Sequence, residues 1–148
     1  MRRTRFNRNY CPIARTTDLL GDWWTPLVLR ELVLGNQKFG SIQESLEISR
    51  PVLTERLNRL VDEGVVERVP YQERPVRYRY VITDKGRALW DVLLAMWQFG
   101  DDWMFRNGAP AELFHKESGE RVEPMVVDRN TGEPLTLDNT RIRIRARS

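Results

Sequence analysis

The chain has 148 residues, of which 41% are hydrophobic and five are tryptophans, so it is long and apolar enough to bury the core of one domain. Its net charge is only +3. Its single cysteine excludes a disulfide framework within the chain and a thiol cluster for a structural metal, and we expect no cofactor. No apolar run approaches the roughly 18–20 residues of a membrane span and the basic N-terminus lacks the apolar segment of a signal peptide, so we expect a cytoplasmic protein.

The chain is expected to begin with an arm and two helices. Residues 1–9 are polar and rich in arginine, which is typical of a mobile arm. A helix is predicted from Cys11 to near Gly21. The next helix has Pro26 in its first turn, where a missing N–H is harmless. Because residues 27–34 are apolar over most of its circumference, it should be the central buried helix.

The next stretch has the spacing of a helix-turn-helix followed by a basic hairpin. A short helix is predicted over residues 39–46 and a second over 49–63, with Ser49 as its N-cap and Pro51 in its first turn. Alternating residues then predict a hairpin over 68–82. Two helices and a hairpin in this order are typical of a winged helix, whose second helix usually enters the major groove of DNA.

A long helix is predicted from residue 83 to residue 104. Its apolar residues form two adjacent stripes, which are Leu89, Leu93, Met96, Gly100 and Trp103, and Trp90, Leu94, Trp97 and Met104. A lone winged helix covers one stripe, so the second implies a partner helix. The expected fold class is mainly α with a small β-hairpin: a winged helix-turn-helix over 10–106 with a long dimerisation helix, and a short β-rich tail over 107–148.

Arginines are concentrated on the two elements that are expected to meet DNA. Arg50 and Thr54 would reach base edges from the start of the recognition helix, and Ser49 would assist a phosphate contact. Arginines of the hairpin, the wing, would meet phosphates or the minor groove. A solvated charged face is the alternative, and Arg59 in particular can pair with Glu55 four residues earlier. The full set of expected DNA contacts is Lys38, Ser49, Arg50, Pro51, Thr54, Arg56, Arg59, Arg74, Arg77 and Arg79.

Two possible sensing sites stay open at the level of sequence. Cys11 precedes the first helix and lies between Arg8 and Arg15, so it is a candidate redox sensor, because positive surroundings make a thiol more reactive. The alternative is a small buried residue at a dimer contact. Trp24 and Trp97 are candidates for a pocket that takes a flat hydrophobic effector, or else belong to the core or the dimer interface.

Enzymatic function is not indicated. A cofactor-using enzyme would need a phosphate-cradling glycine loop or clustered titratable groups, and His115 has no evident base or nucleophile beside it. The remaining alternative is a winged-helix module that binds proteins without sequence-specific DNA binding. Basic residues on both the recognition helix and the wing favour DNA over that alternative.

The ordered series of motifs matches a known family. The pieces include Tyr10-Cys11-Pro12-Ile13, Gly21-Asp22-Trp23-Trp24, Leu53-Thr54-Glu55-Arg56-Leu57, Arg74-Pro75-Val76-Arg77-Tyr78 and Ile82-Thr83-Asp84-Lys85-Gly86. Over residues 10–104 the chain resembles the HxlR-type winged-helix transcription regulators of bacteria and archaea. The resemblance implies a homodimer, built from the first helix and the long helix, that binds a palindromic operator as a repressor. Some such regulators sense oxidants or electrophiles through a cysteine at the position of Cys11.

The tail carries a second likeness. It resembles a small zinc ribbon without cysteines, in which Ser118, Asp128 and Thr131 occupy the positions of the thiols. Since these oxygens are poor zinc ligands, we expect a metal-free relic. Trp24 and Pro51 depart from the family pattern, so the base preference is expected to differ from that of close relatives.

Overall fold

The computed structural model describes residues 5–6 and 11–143 of the chain. In chain order the described residues form α1 Pro12–Leu20, α2 Trp24–Val33, α3 Phe39–Leu46, α4 Arg50–Asp62, β1 Val66–Glu73, β2 Val76–Ile82, α5 Asp84–Arg87 and α6 Trp90–Trp103. This confirms the mainly helical fold with one antiparallel hairpin. Most of the expected N-terminal arm, residues 1–4 and 7–9, lies outside the described residues.

Helix α2 is the central helix of the fold, as expected. Val28, Leu29 and Leu32 are buried on one of its faces, and the helix contacts α1, α3, α4 and β2. Leu34, directly after the end of the helix, is exposed. Gly35 follows with a φ of +88°, a conformation that glycine adopts without strain and that ends the helix.

Helices α3 and α4 form the predicted helix-turn-helix. Glu47 takes the left-handed conformation and ends α3, and Ile48 returns the chain to the core. Ser49 occupies the N-cap position of α4, as expected, although its hydroxyl makes no capping hydrogen bond. Pro51 lies in the first turn, where no main-chain donor is needed. The buried face of α4 consists of Leu53, Leu57 and Leu60.

The hairpin is anchored at its base and exposed beyond it. Val66 and Tyr80 are buried, whereas every residue from 76 to 79 is exposed, because the strands extend past the core that would cover one face. The Tyr80 N–H donates to the Gln37 carbonyl at 2.8 Å, which joins the hairpin to the segment before α3. Tyr71 forms a β-bulge between two paired residues of β1.

The predicted helix from 83 to 104 is interrupted, which corrects the sequence analysis. It divides into α5 and α6, and the Leu89 N–H donates to the Gly86 carbonyl at the break. Gly86 packs so closely against the base of the hairpin that a Cβ there would lie 2.3 Å from the Val65 carbonyl oxygen. The Thr83 hydroxyl accepts from the Gly86 N–H and donates to the Gly64 carbonyl at 2.7 Å, so α5 is tied to the hairpin.

The chain divides into two compact units, Met1–Leu93 and Leu94–Ser148. The division falls within α6, and the domain limits expected at residues 9 and 106 remain predictions. In the part of the chain that the structure describes, no helix combines the length and the apolar character that crossing a membrane requires.

The tail of the second unit contains two tight turns that begin at His115 and Asp128. Short antiparallel bridges close them, from Phe114 to Arg121 and from Val127 to Pro134. The side-chain oxygens of Ser118, Asp128 and Thr131 accept main-chain N–H groups within these turns. Over residues 5–6 and 11–143, no group of three or more His, Cys, Asp or Glu residues is arranged to hold a metal ion. The likeness to a zinc ribbon stays a prediction.

Candidate nucleic-acid interface

The N-terminal half of α4 presents polar side chains to solvent. Arg50 and Thr54 are both exposed, and the Arg50 guanidinium carbon lies 5.2 Å from the centroid of the Phe39 ring. This cation–π contact restrains the arginine at the junction of α3 and α4 while its N–H donors stay accessible. The Thr54 hydroxyl donates to the Arg50 carbonyl at 2.8 Å, so its oxygen retains capacity to accept a hydrogen bond.

Asn58 extends the same row and was missed by the sequence analysis. It is exposed and lies four residues after Thr54, which places it one turn further along one side of α4. An asparagine amide matches the donor and acceptor pair on the major-groove edge of adenine. The helical spacing of Asn58 from Arg50 and Thr54 is the feature of the sequence that could have identified it as a candidate DNA contact.

The wing carries exposed cations. Arg74, Arg77 and Arg79 are all exposed, and no carboxylate among the described residues forms an ion pair with them. The Gln72 amide donates to the carbonyls of Arg74 and Pro75, at 3.2 and 3.0 Å, which braces the turn. The turn therefore holds its arginine in a restrained main-chain geometry.

A shallow basic depression lies at the foot of the wing. The Lys38 ammonium lies 5.1 Å from the centroid of the Tyr71 ring, and Lys38 pairs with Arg79 through an isolated β-bridge. The depression has a volume of about 380 Å³ and is lined by Gly35, Asn36, Gln37, Lys38, Ser41, Tyr71 and Arg79. Two cations, two hydroxyls and two amides without a carboxylate in the lining suit an anionic oxygen.

Arg56 and Arg59 are engaged within the chain. The Arg56 Nε lies 2.9 Å from Asp22 Oδ1 and its Nη1 lies 2.8 Å from Glu55 Oε1, with 15% of the side chain exposed. The Arg59 Nη2 donates to the Asp18 carbonyl and lies 3.4 Å from the Asp18 carboxylate, with 19% exposed. These contacts take the place of the pair of Glu55 with Arg59, which was the alternative to DNA contact. This geometry favours an internal role for both arginines over the expected contact with DNA.

Asp22 connects the start of α2 to α4 through one carboxylate. Its oxygens accept from the Trp24 and Thr25 N–H groups at 2.9 Å and from the Thr25 hydroxyl at 2.5 Å, in addition to Arg56. The first two donors are main-chain groups that a helix start leaves unpaired. Burial disfavours the charged form, but the hydrogen bonds from Thr25, the Arg56 charge and the Trp24 N–H outweigh it and hold the pKa of Asp22 below its ordinary value.

This lowered pKa predicts acid sensitivity. Because the folded-state pKa lies below the unfolded one, Asp22 stabilises the fold above the unfolded pKa of about 3.9, and this stability is lost as pH falls through the folded pKa. Asp22→Asn should cost roughly 1–2 kcal/mol at pH 7, since charge-assisted hydrogen bonds become neutral ones. Urea unfolding followed by circular dichroism from pH 7 to below pH 4 measures both effects.

The variant should also lose less stability on acidification than the wild type. Glu31 keeps some acid sensitivity in both proteins, because hydrogen bonds from Asn36, Arg30 and Ser45 overcome its burial and hold its pKa below the ordinary value. If the free energy of unfolding falls equally with decreasing pH in Asp22→Asn and in the wild type, Asp22 contributes no acid-dependent stability.

The candidate sensing residues occupy different environments. Cys11 is exposed at the N-cap position of α1. Trp24 is half-buried and packs against the core, and Trp97 is half-buried on α6. Trp23, in contrast, is 90% exposed. An effector pocket at Trp24 and Trp97 stays a prediction.

Comparison with known proteins identifies the family. The HxlR-like helix-turn-helix family matches residues 19–107. The uncharacterized HTH-type transcriptional regulator Rv3095 of Mycobacterium tuberculosis is 38% identical over 128 residues, which cover 86% of this chain and 81% of that protein. The crystal structure of the proposed transcription factor PA1607 matches with a TM-score of 0.84 and 36% identity over 93% of this chain and 97% of that one. The redox regulator HypR in its oxidized form matches with a TM-score of 0.57 and 28% identity over 62% of this chain and 96% of that one. The chain belongs to the HxlR-like helix-turn-helix family and is a transcription regulator rather than an enzyme.

Proposed function

We propose that this regulator is a repressor that binds double-stranded DNA at a palindromic operator as a homodimer. The observation that carries the proposal is the pairing of two exposed polar surfaces, the Arg50–Thr54 row of α4 and the arginines of the wing. None of these arginines is neutralised by a carboxylate of the described residues. In a winged helix these are the two elements that approach DNA.

The contacts divide into those that read bases and those that bind the backbone. Arg50 would donate two hydrogen bonds to one guanine, and Thr54 and Asn58 would contact the following base edges. A backbone phosphate would bind in the basic depression between Lys38 and Arg79. Ser49 and the arginines at the tip of the wing would supply further phosphate contacts, which fix the orientation of α4 without reading sequence.

Exposed apolar side chains support the dimer. Phe99 is 61% exposed and Trp103 is 76% exposed on α6, Met96 is exposed on the same helix, and Met104 is exposed directly after its end. Ile13 is exposed on α1. Large aromatic side chains are enriched at the centres of protein interfaces, and a two-fold dimer presents one recognition helix to each half of a palindrome.

A redox or small-molecule effector would modulate this binding. The likeness to the redox regulator HypR and the exposed position of Cys11 support the redox form of the proposal. An effector bound near Trp24 and Trp97 is the second form.

The first test separates base readout from backbone binding. Arg50→Ala should lower the ratio of affinities for the upstream intergenic fragment and a shuffled fragment by about tenfold or more, because one bidentate base contact is lost. Arg74→Ala should weaken both fragments alike and reduce the salt slope by about 1. Fluorescence anisotropy titrations at several salt concentrations measure these ratios.

Arg87→Ala is the matched control, since it removes an exposed arginine from α5, outside both DNA-facing elements. Unchanged discrimination in Arg50→Ala would remove Arg50 from base readout. A wild-type protein that binds neither fragment would overturn the DNA proposal and leave the protein-interaction module in its place.

A further inference from the structure

The recognition helix is fastened at two points to the segment that precedes α2. Asp22, in the loop between α1 and α2, binds the Nε of Arg56 at 2.9 Å. Asp18, near the end of α1, accepts from Arg59 through both its main-chain carbonyl and its carboxylate. These partners are 34 and 41 residues apart in sequence. The contacts therefore bridge separate elements rather than stabilise α4 locally.

The two fastened arginines and the base-reading row lie on opposite sides of α4. At 3.6 residues per turn, Arg56 and Arg59 lie on one flank of the buried leucine stripe, whereas Arg50 and Thr54 lie on the other. A rotation of α4 about its axis would thus lengthen the Asp contacts and move the reading row at the same time. The position of one flank determines the position of the other.

Stabilisation of the folded state alone does not explain the ion pairs of Asp18 and Asp22 with the arginines of α4. The side chain of Asp18 is 6% exposed and that of Asp22 is 14% exposed, so both carboxylates are largely removed from water. The desolvation of buried ion pairs offsets much of their attraction, and apolar replacements are often as stable. Hydrogen bonds from a guanidinium, however, are directional, whereas leucine packing tolerates small rotations. The particular contribution of these hydrogen bonds is to fix the orientation of α4.

We propose that Asp18 and Asp22 are positioning residues that set the rotation of the recognition helix for base readout, an inference that rests on the proposed DNA binding. With side chains extending roughly 5–6 Å from the helix axis, a rotation of about 10–20° moves the reading atoms by roughly 1–2 Å. A shift of that size breaks a bidentate hydrogen bond, because hydrogen bonds weaken steeply with distance and angle. Phosphate contacts from flexible arginines tolerate it.

The decisive experiment removes the carboxylates and keeps the arginines. Asp18→Asn and Asp22→Asn each raise the net charge by one unit, so direct DNA contact by the released Arg59 or Arg56 would preserve or raise operator affinity. The positioning role predicts the opposite: the operator-to-shuffled affinity ratio should fall about tenfold or more, while affinity for the shuffled fragment stays equal or rises. Asp62→Asn, the same charge change at an exposed position of α4, is the matched control.

Thermal melting of each variant establishes that it is folded, and the DNA titrations are carried out at temperatures below its melting range. Arg56→Lys and Arg59→Lys supply a second set that keeps every charge and removes only the guanidinium geometry, and they should lose discrimination in the same direction. Unchanged discrimination in folded variants, or a rise in operator affinity, would overturn the inference alone. A wild type without operator preference would overturn the proposed function and this inference together.

Discussion

Replacing Phe99 and Trp103 by glutamate is expected to convert the proposed homodimer into monomers and to abolish operator binding at concentrations where the wild type is saturated. Each aromatic contributes roughly 1.5–3 kcal/mol when it is buried, and a glutamate in its place would have to be desolvated in the interface. The dimer equilibrium should weaken by several orders of magnitude. A monomer then loses the avidity of two half-sites, which amounts to about 10²–10⁴ in affinity.

Sedimentation velocity at micromolar concentration measures the assembly, and anisotropy titration measures the DNA binding. Leu137→Glu is the control, because it introduces a glutamate at an exposed apolar residue of the tail. Far-UV circular dichroism establishes that the variants keep their helices. A wild type that sediments as a compact monomer would contradict the dimer and the palindromic site together.

The sequence was sufficient for those elements whose signals are local. Gly35 ends α2 with a positive φ and Pro51 lies in the first turn of α4, where its ring is compatible with the helix. Leu53, Leu57 and Leu60 recur at helical spacing in the sequence, and they form the buried face of α4. Glycine, proline and hydrophobic spacing act over a few residues, so each could be interpreted without knowledge of the rest of the fold.

Contacts between distant segments were the part that sequence could not supply. Arg56 and Arg59 have the same helical spacing as a solvated or DNA-facing row, and only folding brings Asp22 and Asp18 to them. The break before α6 follows directly after the close approach of Gly86 to the base of the hairpin, whereas the apolar spacing continues through the break.

Two further details depend on the folded chain in the same way. Phe99 lies outside both apolar stripes that the spacing indicated and is nevertheless among the most exposed aromatics of α6. Lys38 was among the expected DNA contacts, but its pairing with Arg79 depends on a bridge between separate segments.

Oxidation of Cys11 is expected to lower operator affinity by on the order of 5- to 150-fold, the usual range of coupling between two sites. Diamide would take two electrons and two protons from the Cys11 thiols of two subunits, so that a disulfide forms between them and diamide becomes the hydrazine. Operator affinity is measured before and after diamide, and a non-reducing gel records the disulfide. Cys11→Ser should keep its affinity throughout, and an equal response of both proteins would rule out Cys11 as the sensor.

The contacts of α1 provide a route by which a disulfide at Cys11 would affect DNA binding. Cys11 lies at the start of α1, and Asp18, near the end of the same helix, accepts hydrogen bonds from Arg59 of α4. A displacement of α1 would therefore act on the recognition helix of each subunit, and half-sites about 34–36 Å apart leave little tolerance for a coordinated shift. Oxidised Asp18→Asn provides the critical comparison, because its disulfide should still form while the additional loss of affinity becomes smaller than in the wild type. If oxidation lowers operator affinity as much in Asp18→Asn as in the wild type, the effect of Cys11 oxidation does not depend on Asp18.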